Sequence, residues 1–173
     1  MIVTDDDAAA DRLRRLRNHG LADRDTVVML GCNSRLDSLQ AVVGNWLIGQ
    51  VDVITETRIR NAGFLDRGLG RIPQITLPPR FPTRKLVYHL YIAFAERRDE
   101  LLAFCKAMGI EAKVHYPVPV YRQEGLRRYG YREGDFPVAD RHASTMISFP
   151  AHEHLTAEQL AYIVQTVEDF YGA

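Results

Sequence analysis

The chain has 173 residues, of which 46% are hydrophobic and 9% aromatic, a composition typical of a folded protein rather than a disordered one. Its 22 basic residues balance its 22 acidic residues, which excludes an overall field that would recruit nucleic acid or an anionic membrane. Two cysteines, Cys32 and Cys105, are too few for a disulfide scaffold and lack the spacing of metal ligands. Neither a signal peptide nor a stretch long enough to cross a bilayer is visible, so we expect a cytoplasmic protein with reduced thiols.

The first predicted helix follows a short apolar run, Met1–Thr4, which has the character of the end of a strand. Thr4 and Asp7 have the spacing of a capping box, and acidic residues suit the positive end of a helix dipole. The helix is predicted to continue to about Arg17, and the following Asn18-His19-Gly20 is a typical C-terminal stop.

The segment 31–68 contains no proline, and its apolar residues recur at helical spacing. Ser34 and Asp37 again have capping-box spacing, which predicts a helix that begins at about Arg35. At 1.5 Å per residue this helix would be roughly 50 Å long, so we expect it to connect two lobes or to pack against another subunit. A break near Gly63 is the alternative interpretation.

The remainder of the chain, after Gly68-Leu69-Gly70, has the pattern of a compact α+β unit with its strands in one sheet and its helices over one face. The predicted strands are 72–77, 85–95, 110–115 and 145–149. The predicted helices are 97–108, closed by Gly109, a short helix near 123–129, a turn from Pro137 to about Ser144, and a final helix capped by Thr156 together with Gln159.

Few residues point to chemistry when they are taken one at a time, because no nucleophile–base, zinc-protease, CxxC or phosphate-loop motif is present. His115 and Tyr116 stand at a predicted strand end before two prolines, which would hold polar side chains at a fixed rim. An ordinary loop histidine is the alternative interpretation. His152 and His154 lie two apart in a predicted loop, where ordinary histidines are favoured over a metal pair.

Asn33 precedes the predicted long helix, where its amide and the exposed N–H groups of the first turn could face an anion. A turn or N-cap asparagine without a ligand is the alternative.

Several segments together resemble the C-terminal part of the DegT/DnrJ/StrS-type sugar aminotransferases, which are pyridoxal-phosphate enzymes of aminotransferase fold type I. The matching segments occur in the family's order and cover nearly the whole chain. They are MIVTDDDAAADRLRRLRNHG, GCNSRLDSLQAVV, VYHLYIAF, GIEAKVHYPVP, GYREGDFPVADRHASTMISFPAHEHLT and the final helix.

The resemblance implies an α/β fold in three parts: a remnant of the large cofactor-binding domain at 1–30, a long interdomain or dimer-interface helix at 31–70, and a small C-terminal α+β domain at 71–173 with an antiparallel or mixed sheet. It implies pyridoxal 5'-phosphate as cofactor, a nucleotide-linked keto-sugar as amino acceptor and glutamate as donor. It also implies a homodimer with shared active sites.

The resemblance also implies individual site residues. In the family, the asparagine at the position of Asn33 reaches the cofactor phosphate of the neighbouring subunit, and Arg35 would support the same loop. Cys32 stands where the family often has an aromatic residue. The segment of His115 and Tyr116 lies near the sugar-binding side, so these two are candidate substrate-binding residues.

One departure from the family concerns the catalytic lysine. The family's cofactor-attaching lysine lies upstream of the segment that matches Met1, and none of Lys85, Lys106 and Lys113 stands in its motif. That lysine both attaches the cofactor and moves the proton. We therefore expect a truncated enzyme that is inactive alone or completed by a separate N-terminal half, with no catalytic residue among these 173.

Two other readings of the sequence remain open. The chain could be a non-catalytic module that dimerises and senses a nucleotide-sugar. It could also derive from a dehydratase of the same family, since the two reactions differ at the absent lysine.

Overall fold

A computed structural model describes residues 1–172 of the chain. Two compact units are present: the first is Met1–Gln50 and the second begins at Val51. The three-part division predicted from the resemblance, at 1–30, 31–70 and 71–173, stays a prediction.

The first unit contains helices α1 (Asp7–Leu16) and α2 (Ser38–Ile48). The residue that caps α1 is Asp6, whose Oδ1 accepts hydrogen bonds from the backbone N–H groups of Ala8 (2.9 Å) and Ala9 (3.0 Å). The predicted capping by Thr4 is wrong, because the Thr4 hydroxyl instead accepts from the backbone N–H of Asp6 at 3.1 Å. The carboxylate thus accepts from two of the backbone N–H groups of the first turn that have no partner within the helix.

The expected single long helix is interrupted. Helix α2 is capped by Asp37, which accepts from the backbone N–H of Leu39 at 2.9 Å, and it ends before Gly49-Gln50. A new helix, α3, begins at Val51 and ends at Leu69. The backbone N–H of Gln50 donates to the carbonyl of Leu47, three residues earlier, which tightens the last turn of α2. A glycine costs about 1 kcal/mol relative to alanine inside a helix, so Gly49 also favours an end of α2 at this point.

The second unit combines four helices with a small sheet. After α3 come strands β1 (Ile75–Thr76) and β2 (Tyr91–Ala95), helix α4 (Arg98–Ala107), two short 3₁₀ helices (Val120–Arg122 and Glu124–Tyr129), helix α5 (Pro137–Thr145), strand β3 (Met146–Phe149) and helix α6 (Ala157–Tyr171).

The sheet is antiparallel with the order β1-β2-β3, and Ala93 pairs with Ile147. Alternate residues of β2 are buried on the face that α3, α4 and α6 cover. Phe94 points to the opposite face, where its ring stacks on His142 of α5 at 4.5 Å between centroids. The prediction that all helices cover one face is therefore wrong for α5.

Two of the predicted strands are shorter than expected and one is missing. The strand of the 85–95 segment begins only at Tyr91, because β3 offers it a partner of four residues. Segment 110–115 forms no strand. It pairs with β3 at one isolated bridge, between Lys113 and Ser148, and a single bridge does not make a strand. The first strand contains two residues rather than six.

Arg98 is a charged residue in the interior of the second unit, with 7% of its surface exposed. Its Nη1 donates to the carbonyl of Ala143 at 3.0 Å and to that of Met146 at 2.7 Å. These carbonyls lie where α5 ends and β3 begins, so one guanidinium satisfies a helix end that would otherwise be buried without partners.

Asp66 of α3 anchors the connection between β1 and β2. Its carboxylate accepts two hydrogen bonds from Arg80, at 3.1 and 2.9 Å, and one from the hydroxyl of Tyr91 at 2.8 Å. Burial, followed by the hydrogen bond to Asp66, raises the pKa of Tyr91, so this hydroxyl stays a donor.

The capping box predicted for the final helix is confirmed. Thr156 Oγ1 accepts from the backbone N–H of Gln159 at 3.2 Å, and Gln159 Oε1 accepts from the backbone N–H of Thr156 at 2.9 Å. The closure of α4 by Gly109 is also confirmed, with a φ of +77°.

Candidate functional site

Residues 32–34 of the first unit lie against the C-terminal end of α1. The backbone N–H of Cys32 donates to the carbonyl of Leu16 at 2.8 Å, and that of Ser34 donates to the carbonyl of Arg17 at 2.9 Å. A helix end leaves such carbonyls without partners of its own. The segment therefore takes its position from the helix end, and Asn33 is held between two fixed residues.

Two glycines make this close approach possible. Gly20 has a φ of +76°, and a Cβ there would stand 1.7 Å from the carbonyl oxygen of Met29. At Gly31 a Cβ would stand 2.3 Å from the backbone nitrogen of Gly20. A side chain at either position would collide with this backbone. It would push the segment 29–34, which includes Asn33, away from the end of α1.

Asn33 and Arg35 form a donor pair at the surface of the first unit. Arg35 Nε donates to Asn33 Oδ1 at 3.1 Å, and both residues are exposed. This orients the amide so that its NH₂ group, with the remaining guanidinium N–H groups, stays available to an anion. The arrangement fits contact with a phosphate group.

The expectation that Asn33 immediately precedes a helix is wrong, both for the first-turn N–H groups that were to join it at an anion and for its alternative role as an N-cap. Helix α2 begins at Ser38, five residues later, and the carboxylate of its N-cap Asp37 accepts from the first-turn N–H of Leu39. A negative ligand would compete there with a fixed negative charge. Only side-chain donors, and no helix N-terminus, support an anion at Asn33.

His115 and Tyr116 lie in the second unit, in a different compact unit from Asn33 and Arg35. His115 Nδ1 is 3.0 Å from the hydroxyl oxygen of Ser148, a buried residue of β3. The Tyr116 ring meets the His115 ring edge-on at 5.7 Å between centroids, and the peptide bond between the two residues is cis. The phenol itself is 72% exposed.

His115 and Ser148 line a cavity of about 480 Å³. The cavity also receives Arg58 of α3, Lys113, and His152 from the segment after β3. Arg58 Nε donates to Glu153 at 2.8 Å, and Lys113 donates to Glu111 at 2.7 Å. The hydrogen bond from Lys113 lowers the pKa of Glu111, which favours the ionised form of this carboxylate.

Tyr116 also borders an apolar concavity of about 540 Å³ in the second unit. Its aromatic members include Tyr121, Tyr131 and Phe136, with the rings of Tyr121 and Phe136 4.9 Å apart. The Tyr121 hydroxyl donates to Asp140 at 2.5 Å, which fixes that ring. This concavity offers flat apolar surfaces rather than charge.

The three lysines are all at or near the surface. Lys85 donates to Glu56 at 2.6 Å, and this hydrogen bond to the carboxylate raises the pKa of Lys85. An amine whose pKa is raised is a poor nucleophile, whereas attachment of pyridoxal phosphate needs a reactive amine. Lys106 is exposed on α4. The donors of Asn33 and Arg35 thus fit a cofactor phosphate, whereas the raised pKa of Lys85 makes that amine poorly suited to attachment.

Residues 1–172 hold no group of three or more His, Cys, Asp or Glu residues placed to bind a metal ion, and the rings of His152 and His154 are 6.0 Å apart. Over the same residues, every helix is too short or too polar to cross a bilayer.

Reasoning from sequence missed Ser148, Lys113 and Arg58 as neighbours of His115. Ser148 is the one polar residue in the buried run Ile147–Phe149, and this was a usable signal because a buried hydroxyl needs a partner. The identity of that partner, 33 residues away, could not be read from the local pattern.

Comparison with known proteins links the chain to sugar aminotransferases. The model of the DegT/DnrJ/EryC1/StrS aminotransferase family matches residues 1–168. A dTDP-3-amino-3,4,6-trideoxy-alpha-D-glucose transaminase of Streptomyces venezuelae is 35% identical over 98% of this chain and 45% of its own length. A "pleiotropic regulatory protein" of Geobacillus stearothermophilus is 35% identical over 99% of this chain and 46% of its own.

Among solved structures, S. venezuelae DesV in complex with a ketimine intermediate has a TM-score of 0.93 at 34% identity. The match covers 99% of this chain and 46% of the DesV chain. The fold is therefore that of a portion of a fold type I aminotransferase, as the resemblance predicts, and the chain spans about half the length of the relatives it matches.

Proposed function

Because the chain belongs to the DegT/DnrJ/EryC1/StrS aminotransferase family, we propose that it supplies the C-terminal portion of a pyridoxal-phosphate-dependent enzyme that aminates a nucleotide-linked keto-sugar. Glutamate is the proposed amino donor and the cytoplasm the proposed compartment. The observation that carries the proposal is the match to DesV, which combines 34% identity with a TM-score of 0.93 over nearly the whole chain.

Asn33 and Arg35 are the proposed contacts to the cofactor phosphate. Pyridoxal phosphate, when bound, supplies an electron sink for charge that develops at the substrate carbon. The part of this chain is to orient that group: the Asn33 amide, fixed by the 3.1 Å hydrogen bond from Arg35, donates to phosphate oxygens held by the neighbouring subunit. His115 and Tyr116 are the proposed contacts on the sugar side.

We assign no catalytic role to Lys85, Lys106 or Lys113, and we propose that the 173 residues do not transaminate by themselves. Two of the three are paired with carboxylates, and the third is exposed on a helix. A lysine supplied from outside these residues would attach the cofactor and carry the proton.

Helix α2 is the proposed surface for a second copy of the chain or for a separate N-terminal half. None of its residues is buried, although its sequence SLQAVVGNWLI is mainly apolar. Leu39 is 79% exposed and Trp46 is 66% exposed. An exposed apolar surface of this kind is typical of a protein–protein interface.

A cofactor-labelling experiment tests the proposed function. The purified chain is incubated with pyridoxal phosphate, reduced with borohydride, and mapped by peptide mass spectrometry. We expect no stoichiometric label at any lysine and no transamination of a dTDP-linked keto-sugar with glutamate. Stoichiometric labelling of Lys85, Lys106 or Lys113, or turnover at ordinary enzymatic rates, would contradict the proposal.

A non-catalytic regulatory module is the second candidate, favoured by the similarity to the pleiotropic regulatory protein of G. stearothermophilus. The two candidates differ in the state of α2. A self-sufficient module predicts a clean dimer or a stable monomer that does not aggregate. If the chain is part of an incomplete enzyme, it should associate, and Trp46→Glu should suppress this association. The control Val138→Glu, at an exposed position in the second unit, should leave the association unchanged.

A further inference from the structure

A separate cavity of about 410 Å³ lies in the second unit, where strand β1 and helix α5 border the face of the sheet that carries Phe94. It shares no lining residue with the cavity of His115. Thr76 of β1 and Phe94 of β2, which are paired across the two strands, both line it. Its volume is within the range of about 300–1,000 Å³ that is typical of small-molecule sites.

The apolar part of this cavity is held in shape by rigid elements. Leu77, Pro78 and Pro79 follow β1 directly and line the cavity, and the proline rings fix the backbone angle φ of their own residues. His142 of α5 also lines the cavity, and its ring stacks on Phe94 at 4.5 Å between centroids. An apolar group that enters therefore meets a preformed surface.

Gln74 gives the cavity a polar group that lacks a partner in the protein. Its Oε1 is buried and, among residues 1–172, has no hydrogen-bond donor. Its backbone carbonyl, in contrast, accepts from the backbone N–H of Glu96 at 3.0 Å. A buried amide oxygen without a donor is destabilising, and the last torsion of a glutamine side chain is soft. An N–H donor inside the cavity can therefore recruit this oxygen.

Glu96, which follows β2, brings a carboxylate to the cavity. The cationic residues next to it in sequence are engaged by other carboxylates. Arg97 pairs with Glu100 at 2.5 Å, and Arg98 pairs with Asp99 at 2.7 Å. Over the part of the chain that the structure describes, the Glu96 carboxylate has no ion-pair partner, so it is available to a cationic group of a ligand.

Arg141 of α5 brings a positive charge to the same cavity. Its carbonyl accepts from the hydroxyl of Thr145 at 2.7 Å, which fixes the backbone of the last turn of α5. The neighbouring carboxylate of Asp140 accepts from the hydroxyl of Tyr121 at 2.5 Å. In residues 1–172 the guanidinium of Arg141 has no carboxylate partner, and it does not pair with Glu96. Two opposite charges thus line one cavity without neutralising each other.

We propose that this cavity binds an α-amino acid with an apolar side chain. Arg141 donates to the α-carboxylate, and Glu96 accepts from the α-ammonium group, which can also donate to Gln74 Oε1. The apolar side chain packs against Leu77 and Phe94. A simple anion would be repelled by Glu96 and a simple cation by Arg141, so a zwitterion fits better than either. The inference does not rest on the proposed function.

Nuclear magnetic resonance of the full ¹⁵N-labelled chain tests the inference. L-Phenylalanine and L-leucine are titrated separately, and at least one should saturably shift the side-chain amide signals of Gln74 and the backbone amide signal of Glu96. 3-Phenylpropionate lacks the ammonium group and phenethylamine lacks the carboxylate. Each should bind about tenfold or more weakly than L-phenylalanine, because each loses one charge-assisted contact. L-Glutamate should also bind more weakly, because its side chain would bring a charge into the apolar part.

Matched variants separate this site from general charge effects. Arg141→Met should weaken the binding of the amino acid about tenfold, whereas Arg127→Met, which changes an exposed arginine outside the cavity lining, should alter it less than twofold. Glu96→Gln should weaken the binding similarly, whereas Glu124→Gln, at an exposed position outside the lining, should not. All four side chains are exposed, so these variants are expected to fold.

Three results would overturn the inference. The first is the absence of a saturable shift at Gln74 and Glu96 with both amino acids. The second is an affinity for 3-phenylpropionate or phenethylamine equal to that for L-phenylalanine, and the third is an equal loss in the variants Arg141→Met and Arg127→Met. None of these measurements involves the cofactor, a keto-sugar or a lysine linkage, so their outcome is independent of the proposed aminotransferase function.

Discussion

Replacing Arg98 by methionine would remove a buried guanidinium while keeping most of the volume of its aliphatic stem. The carbonyls of Ala143 and Met146 would each lose a charge-assisted hydrogen bond, of 3.0 and 2.7 Å respectively. Hydrogen bonds to charged groups contribute about 1.5–3 kcal/mol each, so the two together predict a loss of roughly 3–6 kcal/mol. Arg98 also contacts Asp99, but that carboxylate is exposed, and its share is about 0–1 kcal/mol.

Amide hydrogen exchange of β2 residues measures this loss directly, because it reports the opening of the second unit. A loss of 3 kcal/mol, the lower bound, corresponds to exchange about 150-fold faster. Arg97→Met is the matched control: Arg97 is exposed and pairs with Glu100 on the helix surface, so its loss should be within about 0.5 kcal/mol. Exchange in Arg98→Met within threefold of wild type, or equal changes in both variants, would refute the assignment of Arg98 as the internal partner of this helix end.

Three further predictions concern stability. Burial raises the pKa of the Cys105 thiol to about 11. The contribution of the neutral thiol to the free energy of unfolding is complete below the unfolded-state pKa near 9 and is lost as pH rises toward 11. Between pH 8 and 11, the free energy of unfolding measured in urea should therefore fall by about 2–3 kcal/mol more in wild type than in Cys105→Ala. Thr156→Ala should cost about 1 kcal/mol, seen as faster exchange in the first turn of α6; unchanged exchange there would argue against the capping box. Gly20→Ala should speed exchange of the Cys32 amide at least fivefold, given a φ of +76° and the 1.7 Å approach to Met29, whereas Gly44→Ala, with open space around it, should not.

The helices could be predicted from sequence where their signals are local. Thr156 and Gln159 predict their helix start correctly because both halves of a capping box lie within four residues. Gly109 ends α4 for a reason equally local, its positive φ. The sequence predicts Thr4 as the N-cap of α1, two residues before the observed N-cap, Asp6. Thr4, Asp6 and Asp7 all offer oxygen acceptors, and only the backbone geometry selects Asp6.

The strands depend on partners distant in the chain, and here the sequence was a weaker guide. The apolar run that begins at Lys85 predicts a strand, but its ladder begins at Tyr91, where β3 provides a partner. For the candidate site, the resemblance predicts His115 as a substrate-binding residue, and this stays a prediction. The contact of His115 with Ser148 spans 33 residues and depends on how the segment after α4 meets the sheet. No local periodicity encodes that meeting.

The outer edge of β3 has a consequence for how copies of this chain can associate. Its outward backbone groups all have partners: Ser148 exchanges two hydrogen bonds with Lys113, the Met146 N–H donates to the carbonyl of His142, and the Met146 carbonyl accepts from Arg98. The opposite edge is β1, which contains only two residues. An edge with unpaired groups is a template for strand addition and aggregation, and this sheet presents almost none. Copies of the second unit should therefore resist sheet-to-sheet polymerisation, and their assembly must rely on side-chain surfaces.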